Sequence, residues 1–410
     1  MEPAFSNQHL ALKEFGSLNL LSEDNLSRVA EAIRQLKLPA GVELQANLEQ
    51  GWLLYLITGQ LTLINERDER IEVVHENTER AYQPIFAEGD TGFSVRMDED
   101  AELIRIDRLH VEVLLARQLS QATQVSEVAY EELDTEVFAS ILEAHEAGDL
   151  QVPSLPEVVM SVNAAVRDND MDFNRLAAVI QRDPPFTARL IQVANSPAYR
   201  GNAEIETLSS AISRIGLDGT RNFVMAIAVE QLVQNVHPAA VKCLWEFYHE
   251  TAEIAALCFV LAKKTGCLRE ERAYMAGLLH GLGMVPIVNH ACEVLSPEPD
   301  VEIVERVGRQ LMGPVSGWLL SEWGLDAALC DSAEFATDWY RPVEGELGVI
   351  EFVIAARLLR ITARGEAVPA NIASTAIGRK LISIGLGVED PTVFLNDIEA
   401  DVEAARQLLG

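Results

Sequence analysis

The feature that most constrains this chain is a change of hydrophobic period partway along it. From about Leu38 to Leu115 apolar residues come in short alternating runs, punctuated by Thr58-Gly59, Glu66-Arg67-Asp68 and Glu88-Gly89-Asp90, a pattern of strands and turns. Beyond Gly148 apolar residues recur at three and four, as they do along the buried faces of helices. One kind of element cannot satisfy both periods, and 410 residues exceed a single ordinary core. The chain therefore reads as multidomain α+β, with strands first and an all-α bundle after them.

Local signals place the elements. Ser22 is positioned to cap a helix carrying Leu26, Val29, Ala30 and Ile33 at helical spacing. The runs Trp52–Ile57 and Gln60–Ile64 flank Gly59, which can take positive φ, and read as a hairpin. Arg108 to Leu115 and Ser126 to Ala147 read as helical. After Pro153-Ser154, Leu155, Val158, Val159, Val162 and Ala165/Val166 mark one buried face. Asp183-Pro184 restarts a helix through Phe186, Leu190, Ile191 and Ala194 to a stop at Ser196-Pro197. Thr207 opens the next, and Gly216 closes it before Asp218. In the tail, Ile350, Val353, Ile354 and Leu358 form a stripe, with further helices expected from Ile372 to Ile384 and from Pro391 to Leu409.

Charge narrows the partners. Lys and Arg total 32 against 63 Asp and Glu, a net charge of −31 that repels phosphate backbones and anionic membranes, so neither nucleic acid nor a membrane is expected as a partner. The start Met1-Glu-Pro-Ala-Phe lacks a basic n-region, and no run of ~20 apolar residues occurs, which points to a cytoplasmic protein. Cys243, Cys258, Cys267, Cys292 and Cys330 are odd in number and lack C-x-x-C spacing, so free, mostly buried thiols are expected.

The passage from Gly16 to Leu115 resembles the cyclic-nucleotide-binding β-roll, most clearly at Trp52-Leu-Leu-Tyr-Leu-Ile-Thr-Gly-Gln-Leu-Thr-Leu-Ile. That family holds its ligand through a short helix carrying Gly-Glu and an arginine in an Arg-Ser/Thr-Ala sequence. The corresponding region here is Phe86-Ala-Glu-Gly-Asp-Thr-Gly-Phe-Ser-Val-Arg-Met-Asp-Glu-Asp100. Its one arginine, Arg96, sits among Asp98, Glu99 and Asp100, whose charge opposes a phosphate, so a degenerate scaffold without nucleotide is expected.

Leu155-Pro-Glu-Val-Val159, the segment Ile180-Gln-Arg-Asp-Pro-Pro-Phe-Thr-Ala-Arg-Leu-Ile-Gln-Val-Ala-Asn-Ser-Pro-Ala-Tyr199 and Ser210-Ala-Ile-Ser-Arg-Ile-Gly216 together resemble the HDOD family, and Leu244-Trp245 and Ala276-Gly-Leu-Leu-His280 follow in the same order. The resemblance covers about Val137 to Trp339. It implies an all-α fold derived from HD-type metal phosphohydrolases and found in bacterial signalling proteins. A metal phosphohydrolase needs several His and Asp ligands from different helices. The resemblance sets Phe247 where the first histidine would stand and His280-Gly281 where the His-Asp pair would stand. Met312 or Gly313, and later Ala333-Glu-Phe335, occupy further histidine positions. His249 is turned about 200° from Phe247 around a helix. Pro286 separates His280 from His290, and His237 before Pro238 reads as a turn. No G-x-S-x-G, P-loop or H-E-x-x-H is present.

No catalytic, metal-ligating or cofactor-binding residue is therefore assigned, and no cofactor is expected. Two residues stay as remnant or pocket candidates: His280, read as a helix-end histidine hydrogen-bonded in the core, and Asn195, read as capping backbone groups left open ahead of Pro197. The expected domains are a β-roll at 1–120, a helical linker at 121–148, an HDOD domain at 149–345 and a helical extension at 346–410 packing on it. The expected function is non-catalytic signal transduction through protein or ligand binding, with the domains coupled through the Ser126–Ala147 helix. The alternatives are a metal-dependent phosphodiesterase with unconventional ligands and a nucleotide-sensing regulator. A protein partner is expected, and a homodimer is a candidate assembly, with Val125, Val128, Leu133, Val137, Phe138 and Ile141 serving either an oligomer seam or contact with the HDOD domain.

Overall fold

The helix expected after Ser22 begins where its cap predicts. Ser22 Oγ accepts the Asn25 amide at 3.3 Å and opens α1 (Glu23–Ala32). Leu26 and Val29 then bury against Phe15, Leu18, Leu53, Tyr55 and Ile106. The computed structural model describes residues 12–406 apart from 68, 88, 124–132, 151–152, 167–171, 198, 200–203, 235, 237, 296–300, 344 and 367–370.

After α1 come β1 (Arg34–Leu38), β2 (Glu43–Gln45), β3 (Trp52–Thr58), β4 (Gln60–Asn65), β5 (Arg70–His75), β6 (Phe93–Met97) and β7 (Ala101–Asp107). They form two antiparallel sheets, ordered β1-β7-β3 and β2-β6-β4-β5. The two runs flanking Gly59 are strands, but they do not form the expected hairpin. β3 pairs with β7, whereas β4 pairs with β5 and β6. At Gly59 (φ +95°) the chain crosses between sheets; its amide donates to Glu76 Oε2 at 2.8 Å, and a Cβ there would lie 2.8 Å from Asp100 O. A positive-φ glycine suits this crossover as well as it suits a hairpin, so local sequence does not separate the two. The hairpin actually formed is β4–β5, where Asn65 Oδ1 accepts the Arg67 and Glu69 amides, both at 2.9 Å.

Helices follow: α2 (Arg108–Thr123), α3 (Leu133–Ala147), α4 (Glu157–Val166), α5 (Phe173–Ile180), α6 (Pro184–Asn195), α7 (Leu208–Ile215), α8 (Leu217–Gln234), α9 (Val241–Thr265), α10 (Glu270–Leu279), α11 (Met284–His290), α12 (Val301–Glu322), α13 (Ala327–Glu334), α14 (Val349–Ala363), α15 (Ala376–Ser383) and α16 (Pro391–Arg406). Thr207 caps α7 through the Ser210 amide, and Gly216 (φ +87°) ends it. Pro184 occupies the first turn of α6 as expected, although the Asp183 side chain makes no capping bond. The helix expected from Ile372 to Ile384 is divided into a 3₁₀ turn, Ile372–Ser374, and α15.

The chain splits into two compact units: Met1–Ala144 with Tyr340–Pro342 and Pro369–Ala376, and His145–Trp339 with Val343–Val368 and Ile377–Gly410. The first boundary falls inside α3. Of the described residues in the stretch 346–410, those at 371–376 go with the first unit. Val137, Phe138 and Ile141 are buried within the chain, whereas Val125 and Val128 lie outside the described residues.

The helical unit is organised around α9, which packs against α10, α14 and α16. Gly277 lets α10 approach closely, since a Cβ there would sit 2.6 Å from Ala255 Cα. The five cysteines are free, with Cys243, Cys258 and Cys292 buried. Among the described residues no helix is long and apolar enough to cross a membrane.

Candidate functional site

α10 carries the histidine that the sequence singles out. It ends at Leu279, His280 keeps αR backbone angles, and α11 starts at Met284 after a turn. Pro286 falls in the first turn of α11, where its missing N–H is tolerated. The break between His280 and His290 is this turn, which lies just ahead of Pro286.

His280 is 2% exposed, and its Nδ1 lies 2.6 Å from Gly277 O. A carbonyl only accepts, so Nδ1 carries the hydrogen and the lone pair resides on Nε2. Burial first, and then the positive charge of Arg357, push this imidazole down to about 3. It is a neutral core histidine, in the tautomer that a metal-ligating histidine would also hold.

The space beside it is already filled. A Cβ built at Gly281 would lie 2.4 Å from Phe247 Cζ, 2.5 Å from Phe247 Cε1 and 2.9 Å from Thr251 Cγ2. Phe247 on α9 therefore places its ring where any side chain at position 281 would begin. The two positions that the HD pattern would give to metal ligands are in contact, and the contact is made of hydrocarbon. Phenylalanine cannot ligate, and glycine leaves the room the ring needs. Among the described residues no group of three or more His, Cys, Asp and Glu comes together to hold a metal ion. The residues present do not fit a metal phosphohydrolase centre.

Around this contact stands an ionic frame that sequence reasoning missed. Arg309 on α12 lies with Cζ 5.6 Å from the Phe247 ring centroid and pairs with Glu250 at 3.0 Å and Glu305 at 2.8 Å. Arg360 on α14 reaches Glu250 at 3.1 Å and Glu253 at 3.0 Å, and its side chain is 8% exposed. Burial alone would raise Glu250, but Arg309, through charge and hydrogen bond, and then Arg360 and Arg357 outweigh it and hold the carboxyl below its usual range. Arg357 donates to Ala336 O at 3.2 Å and lies 5.2 Å over Trp339. The local signals were a pair of glutamates one turn apart on α9 and the i,i+4 pair Glu305–Arg309 on α12, while the arginine partners of the α9 glutamates come from distant helices.

The other named positions have packing roles. His249 is exposed and stacks near Trp245, with ring centroids 5.7 Å apart, so it points away from Phe247 as expected. Met312 is buried, and a Cβ at Gly313 would lie 2.8 Å from Glu334 O, so these positions bring α12 close to α13. His237 lies outside the described residues. Asn195 does not cap its own helix end as expected. Its Oδ1 accepts the Ile205 amide and its Nδ2 donates to Ile205 O, both at 2.8 Å, which pins the return of the following loop.

In the first unit, Arg96 is exposed on β6, and the described residues between Pro84 and Gly92 form no helix where the nucleotide-binding family carries its phosphate-binding one. A Cβ at Gly92 would meet Glu66 Oε1 at 2.7 Å, so a carboxylate stands beside this loop. Asp98 is held by Thr62 Oγ1 at 2.6 Å and Gln60 Nε2 at 3.0 Å.

Two outcomes follow from this geometry. Gly281→Asp should cost about 2–4 kcal/mol in denaturant unfolding, from overpacking and an unpartnered polar group. Adding Phe247→Ala should recover part of that loss, and strictly additive costs would show that the ring does not occupy the position. Second, His280 is neutral when folded down to about 3 but takes up its proton near 6.5 when unfolded, so its stabilising contribution is complete above 6.5 and is lost as pH falls toward 3. The loss between pH 7 and 5 should be about 2 kcal/mol. His280→Asn, which keeps a donor for Gly277 O, should flatten that slope; an unchanged slope would contradict the assignment.

Comparison with known proteins agrees with the helical path. The HDOD domain family matches residues 152–339. An uncharacterized protein of Treponema pallidum (strain Nichols) is 24% identical over 212 residues, covering 47% of this chain and 40% of that protein, so the chain matches well under half the relative's length. A crystal structure of a candidate metal-dependent phosphohydrolase from Shewanella amazonensis SB2B is similar at a TM-score of 0.57 and 22% identity, over 66% of this chain and 99% of that one. An HDOD domain protein from Geobacter sulfurreducens matches at 0.49 and 19%, over 68% of this chain and 99% of that one. With the motifs, the helices that carry them and the family match in agreement, residues 152–339 of this chain are an HDOD domain.

Proposed function

We propose that this protein is a non-catalytic regulator of bacterial signal transduction, located in the cytoplasm, whose HDOD domain works by binding a protein partner or a ligand. The observation that carries this reading is the Phe247 ring lying where a side chain at Gly281 would begin. A catalytic carboxylate and its cation would need that same volume, and a hydrolase of this class needs the cation held with open positions for water and phosphate. The N-terminal unit serves as a degenerate cyclic-nucleotide-type sensor, and the helical segment that includes α3 couples it to the HDOD domain. Its phosphate-loop region offers Glu66 and an exposed Arg96, a poor anion site, which favours a signal other than a cyclic nucleotide.

One feature favours a second reading. His280 holds its lone pair on Nε2, as a ligating histidine would, which keeps a metal phosphodiesterase with unconventional ligands as the alternative. Hydrolysis of bis(p-nitrophenyl) phosphate with added manganese, ferrous iron or zinc separates the two. The regulatory reading predicts turnover no faster than the metal salts alone, and metal-dependent turnover abolished by His280→Ala would establish the enzyme.

A further inference from the structure

Further along α9 a cleft of 590 Å³ opens between that helix, the end of α14 and one side of α16. α16 anchors itself with Phe394, Ile398 and Ala405, while Leu395, Glu399, Val402, Glu403 and Arg406, at helical spacing, line the cleft. The floor is apolar, with Leu257 from α9, Ala363 from α14, and Leu395 and Val402 from α16. α16 thus turns a second, amphipathic face to a cavity.

The polar end of this cleft is built from arginines. Glu253 Oε2 accepts Arg360 Nε at 3.0 Å and Arg364 Nη2 at 2.9 Å. Arg406 approaches Glu253 Oε1 only to 3.6 Å and Glu403 only to 3.9 Å, both beyond hydrogen-bond reach. The Arg364 and Arg406 side chains are 48% and 46% exposed. Each guanidinium carries five N–H donors in a fixed fork, so the pair has donors to spare. They come from the end of α14 and from α16, and both face the carboxylate of Glu253, Arg364 bonding it and Arg406 standing just outside bonding distance.

We propose that this cleft binds an apolar monocarboxylate, with the carboxylate bridging Arg364 and Arg406 and the hydrocarbon body lying over Leu257, Leu395 and Val402. The volume lies in the range of small-molecule pockets, about 300–1,000 Å³, and a mostly apolar lining with a few convergent polar groups is their usual composition. Arginine matches a carboxylate through paired N–H···O bonds. Glu399 and Glu403 on the α16 side oppose a phosphate dianion or a polyanion, which leaves a single negative charge on an apolar tail as the complement. The proposal holds whether or not the chain has lost phosphohydrolase chemistry.

Calorimetric titration of the full chain with octanoate, octanol and inorganic phosphate tests it. Octanoate should bind, and octanol, which has the body without the charge, and phosphate, which has charge without the body, should each bind roughly tenfold more weakly or worse. Two variants should weaken octanoate by a similar factor. Arg406→Gln removes half of the clamp, and Ala400→Trp fills the cleft from an exposed position while leaving every charge in place. Failure of octanoate to bind at millimolar concentration would overturn the proposal, as would octanol or phosphate binding equally well, or octanoate binding undiminished in a folded Ala400→Trp chain.

Discussion

How closely α10 lies against α9 determines what the helical unit can do. A methyl group at Gly277 would sit 2.6 Å from Ala255 Cα, and one at Gly281 would sit 2.4 Å from the Phe247 ring. These glycines are about one helical turn apart, so α10 and the turn after it bring no side chain of their own to α9 at these two positions, and the Phe247 ring fills the second. A side chain at either place would force the helices apart. The carboxylate of a metal centre would be one such side chain. Close packing and metal coordination therefore compete for one volume, and in this chain the volume holds an aromatic ring.

Ion pairs also link the helices of this unit. Glu250 on α9 receives Arg309 from α12 and Arg360 from α14. Such pairs contribute modest net stability when buried, because desolvation offsets much of the attraction, but removal of one partner strands the other. They join α9 to α12 and to α14. Arg360 also bonds Glu253, so it belongs both to the frame around Phe247 and to the wall of the arginine-lined cleft.

What was legible in the sequence follows the range of the interaction. Ser22 and Thr207 cap their helices, and Gly216 stops one, because each acts on backbone groups within a few residues. The strands on either side of Gly59 were legible by composition, but their pairing was not, since strand partners are chosen across the chain and a positive-φ glycine fits both a hairpin and a crossover. Asn195 shows the same limit: read as a local cap, it instead bonds both backbone groups of Ile205. The absence of metal-ligating side chains at positions 247 and 281 could be read directly. That the ring of one fills the space left by the other could not, because one lies on α9 and the other in the turn after α10, far apart in sequence. The frame of Glu250, Arg309 and Arg360 was hidden for the same reason.

The central claim is that packing has taken the place of a metal. Elemental mass spectrometry on protein purified without a metal-carrying tag, before and after incubation with manganese, ferrous iron and zinc followed by gel filtration, tests it most directly. The account predicts metal far below one equivalent per chain in every case. Stoichiometric metal that disappears in His280→Ala would contradict it, because the volume between Phe247 and Gly281 would then have to rearrange to admit a coordinated cation.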